Sequence, residues 1–145
     1  MRIQSGQQAL FEPSRTPNLQ EGSVPRAIAR RRILVVEDDF VQADRICDAV
    51  RAMGLAAIGP VASLEGAVAL ATSENLDGAL LDVCLQRGLR VYPVAEILRR
   101  RQIRFCFITG HSETEVTELS AEAVFHKPVS LGALSSAINL LIDDQ

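Results

Sequence analysis

The sequence predicts an α/β domain in which a doubly wound, five-stranded parallel sheet carries helices on both faces. From Arg32 onward, short apolar runs alternate with amphipathic segments, which is the pattern of βα units. Four of the runs also end in polar residues that can do chemistry. These end residues are Glu37-Asp38-Asp39, Asp82, Thr109 and Lys127-Pro128. Because parallel strands share one carboxyl edge, we expect these side chains to meet there.

The apolar runs predict the strands. They are Ile33 to Glu37, Ala56 to Pro60, Gly78 to Asp82, Arg104 to Thr109 and Ala123 to Lys127. The first helix is predicted from about Phe40 to Met53, with Asp39 as its N-cap and Gly54 at its end. Its apolar positions at helical spacing are Phe40, Ala43, Ile46, Cys47, Val50 and Met53.

Four further helices are predicted. The second follows Ser63, and the third covers roughly Val91 to Arg101, where three terminal arginines suit the helix dipole. The inward residues of the second are Leu64, Ala67, Val68 and Ala71. The fourth helix starts at a capping box, Ser112 to Glu115, but its apolar stripe is short, so it is expected to move most easily. The fifth follows Ser130, with its inward face formed by Leu131, Leu134, Ile138 and Leu141.

The composition limits the classes of protein. A chain of 145 residues suits one domain, which we place at residues 31 to 145. Residues 1 to 30 are rich in polar residues, proline and glycine and are expected to form a flexible extension. With no apolar run of membrane-spanning length and no secretory signal, we expect a cytoplasmic protein that does not enter membranes. The three cysteines suit reduced thiols, and the net charge of -3 gives no footprint for direct nucleic-acid binding.

The end residues match the needs of phosphoryl transfer to a carboxylate. Such a transfer needs a divalent metal and fixed cations to neutralise the charge around phosphorus. Glu37, Asp38 and Asp82 would form an oxygen-rich pocket of the kind that binds Mg²⁺, with Asp82 as the nucleophile. Thr109 and Lys127 would each contact a phosphoryl oxygen. Pro128 makes the bond after Lys127, the only lysine of the chain, a candidate for a cis peptide.

At these residues the chain resembles the receiver domains of response regulators in two-component signalling. The resemblance covers about Arg32 to Asp143 and rests on motifs in the family's order and spacing. The motifs are Val36-Glu37-Asp38-Asp39, Leu80-Leu81-Asp82-Val83, Ile108-Thr109-Gly110 and Lys127-Pro128. The segment Phe105 to His111 is similar to the Phe-x-Phe-Ala-Thr-Gly-Tyr segment of a subgroup of mostly stand-alone receivers.

The resemblance implies a flavodoxin-like sheet with strand order 2-1-3-4-5. It implies that Asp82 accepts a phosphoryl group from a sensor histidine kinase or a histidine phosphotransfer protein, and that the chain is a switch in a phosphorelay. The Mg²⁺ ligands would be Asp38, Asp82 and the backbone carbonyl of Cys84, with Glu37 helping through water. Thr109 would swing toward the phosphate as the face made by the fourth helix, fifth strand and fifth helix changes shape.

The same resemblance sets expectations about partners. No output domain is expected after residue 145, and the signal is expected to leave through a downstream protein that the sequence does not identify. The face that changes shape is also the expected surface of a homodimer. The chain is not expected to be an enzyme, because it would catalyse only its own aspartyl phosphorylation and dephosphorylation.

Two residues depart from the family pattern. Val124 occupies the position of the usual aromatic switch, three residues before Lys127, and the neighbouring Phe125 points to the other face of a strand. Cys84 occupies a position where the subgroup commonly has a small polar residue, in a loop more basic than expected. Kinase specificity and phosphate lifetime are the properties that these departures would change.

Other functions remain open or are disfavoured. A receiver-like scaffold that works without phosphorylation, or a phosphate sink, remains an alternative. A phosphatase of the haloacid-dehalogenase type needs Asp-x-Asp after the first strand, and Glu37-Asp38-Asp39 breaks that spacing. A flavodoxin is disfavoured because acids after the first strand would repel the FMN phosphate. His111 and His126 have no Cys or His at metal-ligand spacing in the sequence and are interpreted as structural or exposed.

Overall fold

The computed structural model describes residues 30–110 and 123–143, which form a parallel five-stranded sheet in the order β2-β1-β3-β4-β5. The strands are β1 Arg32–Val36, β2 Ala56–Val61, β3 Gly78–Asp82, β4 Phe105–Thr109 and β5 Val124–His126. The predicted strand order and parallel arrangement are confirmed. Each strand lies within one residue of its predicted bounds.

Four α-helices lie within the described residues, and they cover both faces of the sheet. They are α1 Phe40–Ala52, α2 Leu64–Ser73, α3 Tyr92–Arg100 and α4 Leu131–Ile142. On one face, α1 and α4 bury Ile46 and Ile138 against Ile33 of β1. On the other face, α2 and α3 pack Ala67 and Leu98 against the opposite side of the sheet. The alternation of β1 side chains between the two cores is what a strand covered on both faces requires.

Side-chain caps fix where three helices begin. The carboxylate of Asp39 accepts a hydrogen bond from the backbone N–H of Gln42 at 2.9 Å, so the predicted N-cap of α1 is confirmed. Ser63 and Ser130 cap α2 and α4 in the same way, each accepting from the residue three positions later. All three helices therefore begin at the carboxyl edge of the sheet, directly after the strands that precede them.

Two predictions about inward-facing residues are wrong. Phe40 is 80% exposed and Leu131 is 64% exposed, although both share the helical spacing of buried residues further along their helices. Each is the first residue of its helix, and the first buried residue of each helix, Ala43 or Leu134, comes three positions later. Spacing gives the direction of a side chain but not the point where the sheet beneath the helix ends.

A bulge interrupts β2 and connects it to the end of β1. Leu34 pairs with Ile58, but Val36 pairs with Val61, so two residues of β2 stand opposite one of β1. Gly59 takes φ +104°, a conformation that favours glycine, and the Gly59–Pro60 peptide bond is cis. The extra residue allows the Val61 carbonyl to accept a 3.0 Å hydrogen bond from the backbone N–H of Glu37.

Several predictions lie outside the described residues. The predicted extension lies outside them except for its last residue, Arg30. The fourth predicted helix, after Ser112, and His111 also lie outside. The predicted homodimer surface combines that helix with β5 and α4, so only part of it lies within the described residues. Within the described residues, no helix has the length and apolar character needed to cross a membrane.

Candidate functional site at the carboxyl edge

The ends of β1 and β3 bring three carboxylates together. Val36 pairs with Leu81 in adjacent strands, so the residues that follow, Glu37 and Asp82, emerge side by side. Glu37, Asp38 and Asp82 each offer a carboxylate oxygen, and these oxygens all lie within 4.8 Å of one another. We call these three residues the acid cluster. Glu37 and Asp82 are buried and Asp38 is half-buried, so the cluster opens to solvent on the Asp38 side.

Glu37 lies at the buried end of the acid cluster, with 2% of its surface exposed. Its Oε2 atom accepts hydrogen bonds from the Asp39 backbone N–H at 3.1 Å and from Lys127 at 3.3 Å. Its Oε1 atom lies 3.1 Å from the Lys127 ammonium, yet accepts no hydrogen bond from the described residues. Burial, followed by the negative charge of Asp82, raises the pKa of Glu37 to about 7.

Asp82 is the last residue of β3 and is also buried, with 5% of its surface exposed. Its Oδ2 atom lies 3.3 Å from the ammonium of Lys127, and Oδ1 accepts a 3.4 Å hydrogen bond from the backbone N–H of Cys84. Burial raises the pKa of Asp82 above its usual value, against the opposing effect of Lys127. The carboxylate is thus held from two sides.

Lys127 supplies the cation of the site from the residue after β5. Its backbone N–H donates to the Thr109 carbonyl at 2.8 Å, which continues the β4–β5 ladder to the sheet edge. Burial alone would lower the pKa of Lys127, but the charges and hydrogen bonds of Asp82 and Glu37 raise it above the usual value. The Lys127–Pro128 peptide bond is cis. The Lys127 ammonium contacts two carboxylates, Glu37 directly after β1 and Asp82 at the end of β3.

Thr109 ends β4 and has no exposed surface. Ile108, which precedes it, pairs with Asp82 on the neighbouring strand. Thr109 therefore lies between the strand that carries Asp82 and the one that leads to Lys127. The structure places all the predicted site residues along this one edge of the sheet.

Cys84 lies two residues after Asp82, at the start of the loop that leads to α3. Its thiol accepts a 2.9 Å hydrogen bond from Nη1 of Arg90, across the loop. Sequence reasoning did not single out Arg90. The contact exists only because the loop folds back on itself, and the basic character of the loop was the only available signal.

The position of Val124 bears on the missing aromatic switch. Val124 pairs with Phe107 on β4, and that ring packs edge-to-face with Tyr92 of α3 at 6.2 Å between centroids. Among the described residues, the ring contact of the residue paired with Val124 is therefore between β4 and α3.

The acid cluster suits a hard divalent cation such as Mg²⁺. Carboxylate oxygens are the ligands that Mg²⁺ prefers, and it keeps several waters when only a few protein ligands are available. The buried Glu37 Oε1, which lacks a hydrogen-bond donor among the described residues, is an oxygen that a cation or its water could satisfy. The residues present therefore fit the ion.

Comparison with solved structures identifies the family. SdrG from Sphingomonas melonis Fr1 is 33% identical, with a TM-score of 0.69 over 79% of this chain and 98% of that one. The chain belongs to the response-regulator receiver family. No protein-family model and no curated protein matches the chain.

Two more distant receivers share the fold. The CheY-like receiver domain protein of Methanospirillum hungatei JF-1 is 22% identical with a TM-score of 0.70, covering 79% of this chain and 95% of its own. The receiver domain of the sensor histidine kinase PA1611 from Pseudomonas aeruginosa PAO1, solved with magnesium coordinated in its active site cleft, is 23% identical. The match has a TM-score of 0.69 and covers 80% of this chain and 100% of the PA1611 receiver domain.

Proposed function

We propose that this receiver accepts a phosphoryl group on Asp82 from the phosphohistidine of a sensor histidine kinase or a histidine phosphotransfer protein. The observation that carries the proposal is the position of the Asp82 carboxylate, buried, 3.3 Å from a single ammonium and within 4.8 Å of two further acids. An aspartate in such a site can act as a nucleophile once the surrounding negative charge is neutralised.

The transfer forms one bond and breaks one. A carboxylate oxygen of Asp82 attacks phosphorus, the phosphorus–nitrogen bond of the donor breaks, and its electron pair remains on the imidazole nitrogen. The ammonium of Lys127, already next to Oδ2 of Asp82, would hold a phosphoryl oxygen. The hydroxyl of Thr109 would donate a hydrogen bond to another phosphoryl oxygen. The movement of Thr109 toward the phosphate would change the protein-binding face.

The proposed metal is Mg²⁺. Asp38, Asp82 and the backbone carbonyl of Cys84 would hold it, with Glu37 reached through water. When bound, Mg²⁺ supplies positive charge that stabilises the phosphoryl oxygens during transfer. Two relatives support the assignment: the Pseudomonas aeruginosa receiver contains magnesium in its cleft, and SdrG has a structure in a BeF₃-activated conformation.

The proposal extends to partners. The signal would pass to a downstream protein through a surface that changes on phosphorylation, and that surface could also pair two copies of the chain. We propose no reaction on other substrates and place the protein in the cytoplasm with its donor.

The test compares phosphorylation of wild-type protein and an Asp82→Asn variant by acetyl phosphate with Mg²⁺. Asp48→Asn is the matched control, since Asp48 is an exposed carboxylate of α1. We expect acid-stable, alkali-labile labelling of wild type and the control only. Equal labelling of Asp82→Asn would overturn the assignment.

A scaffold that works without phosphorylation is the second candidate, and the valine at position 124 favours it because the usual aromatic of the switch is missing. Titration with Mg²⁺ and beryllofluoride, followed by NMR, separates the two functions. A phosphorylatable switch gives new amide positions around Asp82 and Thr109, whereas a scaffold gives an unchanged spectrum.

A further inference from the structure

The loop between Asp82 and α3 is closed by paired backbone hydrogen bonds. The Val91 N–H donates to the Val83 carbonyl at 2.9 Å, and the Leu85 N–H donates to the Leu89 carbonyl at 2.8 Å. Between these two bonds, Cys84 and Arg90 form an antiparallel bridge. The loop is thus a small hairpin whose first strand begins directly after the phosphoacceptor.

One side-chain contact crosses this hairpin at the metal-binding end. Nη1 of Arg90 lies 2.9 Å from Sγ of Cys84, and both side chains are half-buried. The Cys84 N–H in turn donates to Oδ1 of Asp82. Arg90 therefore contacts the residue that connects the hairpin to the acid cluster.

From this arrangement, we infer that Arg90 is a positioning residue for the metal site, acting through Cys84. The inference rests on the proposed function, in which the Cys84 carbonyl is a metal ligand. A backbone carbonyl cannot be oriented by its own side-chain rotamer, so the loop has to fix its direction. The guanidinium, packed on the Cys84 thiol at the hairpin bridge, restrains that peptide in a way that a flexible loop would not.

The chain offers a matched control in the same loop. Arg87 has the same charge and lies three residues before Arg90, but it is exposed at the turn of the hairpin. A general loss of positive charge near the acid cluster would affect both arginines, whereas restraint of Cys84 depends on Arg90 alone.

The experiment measures the dissociation constant of Mg²⁺ alone by isothermal titration calorimetry, without any phosphoryl donor. We expect Arg90→Gln to weaken Mg²⁺ binding by at least about threefold, less than the ~10-fold or greater loss that follows removal of a group bonded directly to a metal ligand, because Arg90 acts through a side chain next to the carbonyl. Arg87→Gln should bind as wild type does. Thermal melting without Mg²⁺ separates this effect from loss of the fold. If Arg90 only restrains the Cys84 carbonyl, the melting temperature of Arg90→Gln should stay close to that of wild type while its Mg²⁺ affinity falls.

A double-mutant cycle tests the route through Cys84, since Arg90 has interactions besides this one. If the effect of Arg90 passes through the thiol contact, the double variant Cys84→Ala/Arg90→Gln should bind Mg²⁺ no more weakly than whichever single variant has the lower Mg²⁺ affinity. Additive losses, or an unchanged affinity of Arg90→Gln, would overturn the inference. If Arg90→Gln fails to fold, Arg90→Met replaces it, since methionine keeps an apolar stem but cannot donate to the thiol, and wild-type affinity in that variant would overturn the inference equally.

Failure of the proposed function gives a different result. Wild-type protein that binds no Mg²⁺ contradicts the metal site itself. Wild-type protein that binds Mg²⁺ with the same affinity as Arg90→Gln contradicts only the role of Arg90.

Discussion

The ammonium of Lys127 lies 3.3 Å from Oδ2 of Asp82, although 45 residues separate the two along the chain. It also lies 3.1 Å from Glu37, so one positive charge partly neutralises two buried acids. A metal ion bound to the acid cluster would approach the same oxygens. The lysine and a bound metal would therefore repel each other while sharing the same carboxylates.

This relationship predicts opposite effects of removing the ammonium. In Lys127→Met, Mg²⁺ should bind at least about threefold more tightly, because a competing charge next to the ligands is gone. Phosphorylation of Asp82 should nevertheless become at least about tenfold slower, since a cation that contacts the phosphoryl oxygens is lost. Calorimetry and the rate of labelling by acetyl phosphate measure the two quantities.

Lys127→Arg is the control for charge. The variant keeps the positive charge, so its affinity for Mg²⁺ should stay close to that of wild type. Weaker Mg²⁺ binding by Lys127→Met would show that the ammonium organises the acid cluster for the metal instead of competing with it.

The raised pKa of Glu37 predicts how the stability of the metal-free protein depends on pH. Its usual value is 4.5 and its value in the fold is about 7, so the folded state binds this proton more tightly than the unfolded state. The resulting contribution to stability is complete below 4.5 and is lost as the pH rises through about 7. The raised pKa of Asp82 acts in the same direction.

Glu37→Gln removes the titration of one group while keeping its size. With Mg²⁺ chelated, the melting temperature of the variant should gain on that of wild type as the pH rises from about 5 to about 8. Circular dichroism at a series of pH values provides the measurement. A constant difference between the two proteins across this range would contradict the raised pKa.

Local signals predicted the strands and the placement of the candidate site residues at their carboxyl ends, whereas the order of the strands was implied by the resemblance to receiver domains. A strand buried on both faces is a continuous apolar run, and the residue after it must lie at the sheet edge. Asp82 and Lys127 could therefore be placed without knowing what they contact. The strand order brings their backbones to the same edge, but the 3.3 Å distance between the two side chains is visible only in the folded structure.

Features that depend on distant parts of the chain could not be predicted. Phe40 has the spacing of a core residue, but its exposure depends on where β1 ends beneath the helix. The bulge at Gly59 depends on how β2 is paired with β1, and a single strand carries no record of its register. The contact between Arg90 and Cys84 requires the hairpin to close first.

The bulge in β2 predicts a large difference between two glycines. A Cβ added at Gly59 would lie 2.9 Å from both the Val35 carbonyl oxygen and the Val61 amide nitrogen, whereas one added at Gly54 meets nothing within 4 Å. Both glycines have positive φ, so both substitutions carry backbone strain. Only Gly59→Ala also displaces backbone that pairs β1 with β2.

We expect Gly59→Ala to lower the free energy of unfolding by about 1–3 kcal/mol more than Gly54→Ala does. Urea denaturation of the two variants gives the comparison. Because the Val61 carbonyl holds the backbone N–H of Glu37, Gly59→Ala should also weaken Mg²⁺ binding. Equal losses of stability in the two variants would show that the bulge relaxes without cost.

The last prediction concerns the arginine at the end of α3. Nη1 of Arg101 donates to the Ala71 carbonyl at 2.6 Å and to the Glu74 carbonyl at 3.0 Å, so it satisfies backbone acceptors at the end of α2. Arg100, one residue earlier, makes only a 3.7 Å ion pair with Glu96 among the contacts of described residues, and its side chain is 73% exposed. Arg101→Ala should therefore lower the free energy of unfolding by about 1–2 kcal/mol, and Arg100→Ala by less than about 0.5 kcal/mol. Neither residue belongs to the acid cluster or follows a strand at the carboxyl edge, so both variants should bind Mg²⁺ with wild-type affinity. Equal free energies of unfolding for the two variants would show that the hydrogen bonds from the Arg101 guanidinium to the carbonyls at the end of α2 do not stabilise the fold.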